Sequence, residues 1–170
     1  PIDHDPVPQK VLDSLQGAYL PLTYSKWGHQ MLTDAGVKNV YIPHGVETDI
    51  YRVLEHGMVS QFRRNVLHNP NHLTVMVSAN KGYPDRKAFQ VQLRAWAEFA
   101  KDKPDAWLYI HTEMTTMYGG IDFAALTANL GIQNRVIFPD RYNYHMGFPA
   151  EYMALLYNSA DAFLGASMSE

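Results

Sequence analysis

Residues 73–111 read LTVMVSANKGYPDRKAFQVQLRAWAEFAKDKPDAWLYIH, and the fold class turns on this stretch. Leu73–Ser78 is a short apolar run with β-branched residues, and Trp107–His111 is another. Between them Phe89, Leu93, Trp96, Ala97 and Ala100 recur at three- and four-residue spacing, the stripe of an amphipathic helix. Asp85 is placed to cap its start, and Lys101 and Lys103 suit its negative C-terminal end. A strand, a helix and a strand in succession predict a parallel pair joined by a crossover.

The same alternation continues outward. Val136–Phe138 and Ala162–Gly165 read as strands, so that the strand starts fall roughly thirty residues apart. Helices are expected over Phe123–Leu130, stopped by Gly131, and over Pro149–Tyr157, with the proline in the first turn. Towards the amino end, Ala18–Thr23 and Val40–Ile42 read as strands flanking a helix at Lys26–Ala35, capped by Ser25 and ended by Gly36. Together these predict an α/β fold, a parallel sheet with helices on both faces.

The stretch from Glu47 to Asn71 has no clean strand, although Met58–Leu67 could form one helix. It is read as the joint between two domains. Residues 1–48 then hold two strands and two helices, too little for an independent core, and Ala162–Gly165 is a strand with nothing after its loop. With Pro1 in first place, the chain is expected to be an internal piece of a longer protein, its fold incomplete at both ends.

Composition narrows the function by exclusion. Of 170 residues, 46% are apolar and 18% charged, with a net charge of −3, which gives no electrostatic footprint for nucleic acid. Cysteine is absent, so disulfides, thiolate metal sites and cysteine nucleophiles are ruled out. No apolar run approaches the roughly 18–20 residues that cross a bilayer. The chain has 8 histidines. His68 and His72 lie four apart, but Pro70 between them argues against a shared helical face, and no metal site is expected. A Gly-x-Ser-x-Gly hydrolase elbow is missing too.

Ligands of an open parallel sheet sit at the carboxyl ends of its strands, so the residues just after each strand are the candidates. After Leu73–Ser78 come Ala79, Asn80, Lys81, Gly82, Tyr83, Pro84, Asp85, Arg86 and Lys87. A small-residue turn leading into a helix N-terminus suits an anion, and three cations add charge for a pyrophosphate. A merely solvated basic turn would carry the same residues. After Val136–Phe138 come Pro139, Asp140, Arg141, Tyr142, Asn143, Tyr144 and His145. A loop of this kind could stack on and hydrogen-bond a nucleobase, or be an irregular surface segment. After the last strand, Glu170 could accept hydrogen bonds from sugar hydroxyls or simply be solvated.

Three stretches carry a resemblance. The first is Thr23-Tyr24-Ser25-Lys26-Trp27-Gly28, Ala35-Gly36-Val37 and Val40-Tyr41-Ile42-Pro43-His44-Gly45-Val46-Glu47-Thr48. The second runs from Val77 to Arg86-Lys87-Ala88-Phe89. The third is Leu155-Leu156-Tyr157-Asn158-Ser159-Ala160-Asp161-Ala162-Phe163-Leu164, with Ser167 and Glu170. In this order and spacing they resemble family four of the retaining glycosyltransferases, the group 1 glycosyl transferases, built from two Rossmann-like domains in the GT-B arrangement.

The resemblance implies transfer of a sugar from a nucleoside-diphosphate donor to an acceptor hydroxyl with retained anomeric configuration. It implies no required metal and no cofactor, since the nucleotide sugar is a substrate. Residues 1–48 would close the acceptor-side domain, 49–71 would be the linker, and 72–170 would begin the donor-binding domain. Lys87 would bind the diphosphate, helped by Arg86, with Lys81 and Asn80 where the family often has Gly-Arg. Arg141 and Tyr142 would contact the base. Glu170 would be the first carboxylate of a Glu-x7-Glu pair, near the transferred sugar.

The acceptor would be a carbohydrate or a lipid-linked molecule, and the location cytoplasmic, with peripheral attachment to the inner face of a membrane left open. The piece alone is expected to be inactive. Two other readings remain: a non-catalytic α/β nucleotide- or sugar-binding module, and another two-Rossmann enzyme such as an epimerase or phosphorylase. A receiver-type module would need acidic residues where this chain has Ala79-Asn80-Lys81.

Overall fold

The computed structural model describes residues 4–68, 71–80, 85–115 and 119–167. The chain divides into two compact units, Pro1–Glu47 and Thr48–Met168.

In the first unit, α1 (Gln9–Leu15) precedes β1 (Leu22–Thr23), α2 (Lys26–Asp34) and β2 (Val40–Tyr41). β1 and β2 pair in parallel, Leu22 opposite Val40. β1 is shorter than the expected Ala18–Thr23. The Ala18 amide instead closes a turn onto the Leu15 carbonyl at 3.0 Å, and Pro21 has no N–H for a ladder. Ser25 caps α2 by accepting from the Gly28 amide at 2.9 Å. At the other end Gly36 takes φ +76°, and Val37 donates to the Leu32 carbonyl at 2.8 Å, the closure that favours glycine after a helix.

In the second unit, α3 (His56–Asn65), β3 (His72–Val77), α4 (Phe89–Phe99), β4 (Ala106–His111), α5 (Phe123–Asn129), β5 (Val136–Ile137), α6 (Arg141–Met146), α7 (Ala150–Ser159) and β6 (Ala162–Phe163) follow in order. Its described strands form one parallel sheet in the order β5-β4-β3-β6. Residues 49–71, read as a joint, supply α3 to this unit, with Phe62 edge-on to Tyr152 of α7 at 5.1 Å.

The alternation of side chains along the two central strands builds two cores. Met76, Leu108 and Ile110 point to α4 and α5, where they meet Phe89, Leu93, Trp96 and Phe123. Leu73, Val75 and Tyr109 point the other way, to Phe62 and Leu156. The sheet is therefore covered on both faces, as its near-continuous apolar strands require.

In the second unit, α4 and the segment after β5 also differ from expectation. α4 begins at Phe89, three residues later than a cap at Asp85 predicts, because Ala88 adopts a left-handed φ of +52° and breaks the helical run, although the Asp85 carboxylate still caps it. The segment after β5, expected as a loop, coils into α6. The Asp140 carboxylate caps it by accepting from the Asn143 amide at 3.0 Å, a local signal that the aromatic content of the stretch had obscured.

Candidate functional site

All strands of the second unit run the same way, so their carboxyl ends share one edge, and the connections leaving that edge form the candidate site. Asn80 follows β3. Its amide N–H donates to Thr112 Oγ1 at 2.8 Å. Its side chain donates to the Glu113 and Ile121 carbonyls at 3.2 and 2.9 Å and accepts from the Ile121 amide at 2.9 Å. Asn80, expected as a phosphate contact, has both ends of its amide engaged in stitching the turn after β3 to the segment after β4.

Arg86 and Lys87 lie in the turn between β3 and α4, Arg86 exposed and Lys87 half-buried. The anion cradle expected at the helix start is altered by Asp85. Its two carboxylate oxygens accept from the Phe89 and Gln90 amides, both at 3.1 Å. These two N–H groups are therefore already hydrogen-bonded within the chain. The Lys87 carbonyl accepts from Gln92 Nε2 at 2.8 Å, and Gln92 Oε1 accepts from the Ala166 amide at 3.1 Å, on the segment after β6. Lys81 and Glu170 lie outside the described residues.

On the other side of the edge, Arg141 and Tyr142 occupy the first turn of α6. Arg141 Nε stands 3.5 Å from Glu113 Oε1, whose side chain is 15% exposed. His145 Nε2 reaches the same oxygen at 3.1 Å. Tyr142 is exposed. Next to this cluster, His111 at the end of β4 packs against Tyr144 and Phe148, with centroids at 5.4 and 5.2 Å. Burial lowers its pKa and pushes that of Tyr109, on the same strand, upward.

The residues that the sequence reading missed are Gln92 and Glu113. Gln92 had a signal, a polar side chain inside the apolar stripe of α4. Glu113 had none, since its pairing with Arg141 and His145 spans two connections. Among the described residues no group of three His, Asp or Glu is placed to hold a metal ion, and no helix is long and apolar enough to cross a membrane. An open groove of about 450 Å³ lies between Tyr51–Val53 and α7, lined also by Ala154, Tyr157 and Asn158. The C-terminal end of α7 feeds β6, so this groove sits by the amino ends of the strands, away from the candidate site.

No protein-family model matches the sequence, and neither does any curated protein. Solved structures do match. HepE from Anabaena, crystallised with UDP-glucose, superposes with a TM-score of 0.66 at 18% identity, over 94% of this chain and 41% of that one. A glycosyltransferase from Rickettsia africae gives 0.63 at 17% identity, over 95% and 42%. The C-terminal domain of LpcC, a group 1 family glycosyl transferase from Francisella tularensis, gives 0.53 at 21% identity, over 74% and 60%. The chain spans about two fifths of the length of HepE and the Rickettsia protein. Its fold, parallel sheets flanked by helices, matches that of these GT-B glycosyltransferases.

Proposed function

We propose that this chain is part of a nucleotide-sugar-dependent glycosyltransferase, with residues 72–170 opening the donor-binding domain and residues 1–48 closing the acceptor-side one. The observation that carries the reading is the shared carboxyl edge of a parallel sheet. It gathers the Arg86-Lys87 turn, the Glu113–Arg141 pair and the segment after β6, in a fold shared with enzymes whose crystals hold UDP and UDP-glucose.

In the proposed reaction the bond from the anomeric carbon to the β-phosphate oxygen breaks, and a bond to the acceptor hydroxyl oxygen forms. The acceptor's proton leaves to the departing diphosphate. Negative charge gathers on that diphosphate, so Lys87, with Arg86 and Lys81, stabilises the transition state more than the bound donor. Arg141 and Tyr142 take the base, and Glu170 hydrogen-bonds the transferred sugar. The configuration is retained and no metal is required, as the family resemblance implies. The acceptor is a carbohydrate or lipid-linked hydroxyl, reached by the full protein in the cytoplasm or at the inner face of a membrane.

Calorimetric titration of the chain with UDP tests the donor site. Lys87→Ala should weaken UDP about 10- to 100-fold, the worth of one charge-assisted phosphate contact, and leave uridine binding unchanged. Failure of the unaltered chain to bind UDP at millimolar concentration overturns the reading. Mixed with UDP-glucose and acceptor sugars, the chain alone should release no UDP, and turnover would contradict its expected inactivity.

A further inference from the structure

Gln92 is 4% exposed and occupies a stripe of α4 otherwise filled by Phe89, Leu93 and Trp96. A buried primary amide is costly unless both its ends are hydrogen-bonded. Here both are, and to two different connections. Nε2 holds the Lys87 carbonyl at 2.8 Å, and Oε1 holds the Ala166 amide at 3.1 Å. These connections leave β3 and β6, which are neighbours in the sheet, Thr74 opposite Ala162 and Val75 opposite Phe163.

The turn that Gln92 grips is itself strained. Ala88 sits at φ +52°, a conformation costing an L-residue with a Cβ about 1–2 kcal/mol, which persists only where surrounding contacts over-determine it. The Ala88 amide bonds the Asp85 carbonyl at 2.9 Å, the Asp85 carboxylate caps α4, and Gln92 fixes the carbonyl just before the strained residue. A hydrocarbon at position 92 would fill the same space and hold neither connection.

We infer that Gln92 is a positioning residue that fixes the Lys87 turn relative to the segment after β6 at Ala166, so that one amide sets the spacing between two of the connections that frame the donor site. This rests on the donor-site reading above. Its side-chain amide is engaged by these two backbone groups, and it acts through them.

The test is titration of the full chain with inorganic pyrophosphate, UDP and uridine, followed by calorimetry or NMR, for the unaltered protein, Gln92→Met, Gln92→Glu and Lys87→Ala. Gln92→Met should weaken pyrophosphate and UDP about fivefold to tenfold, the worth of roughly one hydrogen bond, and leave uridine unchanged. Gln92→Glu at pH 7.5 cannot donate to the Lys87 carbonyl and should be weakened too. Burial at this position raises the carboxyl above its usual value of about 4.3. To the extent that it is protonated at pH 5.5 it can both donate and accept, so its affinity relative to the unaltered chain at the same pH should recover, whereas that of Gln92→Met should not. A merely structural role predicts equal losses for uridine and pyrophosphate, or a lower melting temperature with unchanged affinities, and either result overturns the inference. If Lys87→Ala loses pyrophosphate while Gln92→Met keeps it, the donor site stands and the role of Gln92 falls. If the unaltered chain binds neither phosphate ligand, both fall. Should Gln92→Met fail to fold, Gln92→Glu at the two pH values decides alone.

Discussion

Asp161, between α7 and β6, accepts from the Leu73 amide at 2.7 Å and from both terminal nitrogens of Arg63 at 3.2 and 3.0 Å. Burial by itself would raise its pKa, but the Leu73 amide and the Arg63 guanidinium outweigh that and hold it below the ordinary carboxylate range. A carboxylate with a depressed folded pKa contributes stability that is fully present above its unfolded value and is lost as pH falls through the folded one. Urea unfolding should therefore show stability declining below about pH 4, and Asp161→Asn should cost about 1–2 kcal/mol at pH 7 while flattening that acid slope. An unchanged acid slope would refute the assignment. Ala88 is the opposite case, a side chain the backbone would rather be without. Ala88→Gly relieves the left-handed strain and, even after losing one buried methyl, should raise stability by about 0.5–1 kcal/mol, read as a higher melting temperature.

α4 is the element on which the site is mounted, and it is anchored through its apolar face. Phe89 is 1% exposed and meets Phe123 edge-on at 4.9 Å. Phe89→Ala should cost about 3–5 kcal/mol in chemical unfolding. A cost under about 1 kcal/mol would mean that the helix is not locked where it is described. The stripe that puts Phe89, Leu93 and Trp96 inside was legible from spacing. So was the stop of α5, because Gly131 at φ +69° and the Ile132 amide on the Thr127 carbonyl at 3.0 Å answer a local backbone demand. α6 was not legible. Tyr142 and Met146 are exposed, so the helix has no apolar stripe to read, and its residues are held by the Asp140 cap and by Glu113 from another connection.

At the scale of the molecule, the edge that gathers the candidate residues also carries a half-buried titrating group. His111 is wedged between Tyr109, Tyr144 and Phe148, with Nδ1 3.2 Å from the Tyr109 hydroxyl, and the ionisable His145 and Glu113 lie just beyond. Burial lowers its pKa, so the unfolded chain takes up a proton before the folded one does. Stability is then whole above the unfolded value near pH 6.5 and declines as pH falls towards the lower folded value, by at most about 1.4 kcal/mol per pH unit. His111→Phe should flatten unfolding free energies measured between pH 7.5 and 5.5. Equal slopes in the two proteins would show that the imidazole titrates as it would in water.

The sequence by itself determined the alternation of strands and helices, their parallel arrangement and the connection that carries Arg86 and Lys87. Those features follow from hydrophobic period and local backbone preference, which are written into neighbouring residues. Only the tertiary structure decided that Asn80 stitches connections together, and that Gln92 and Glu113 bind elements 74 and 28 residues away. A hydrogen bond between distant connections leaves no periodic trace, because its partners meet only after the sheet has brought the strand ends to one edge.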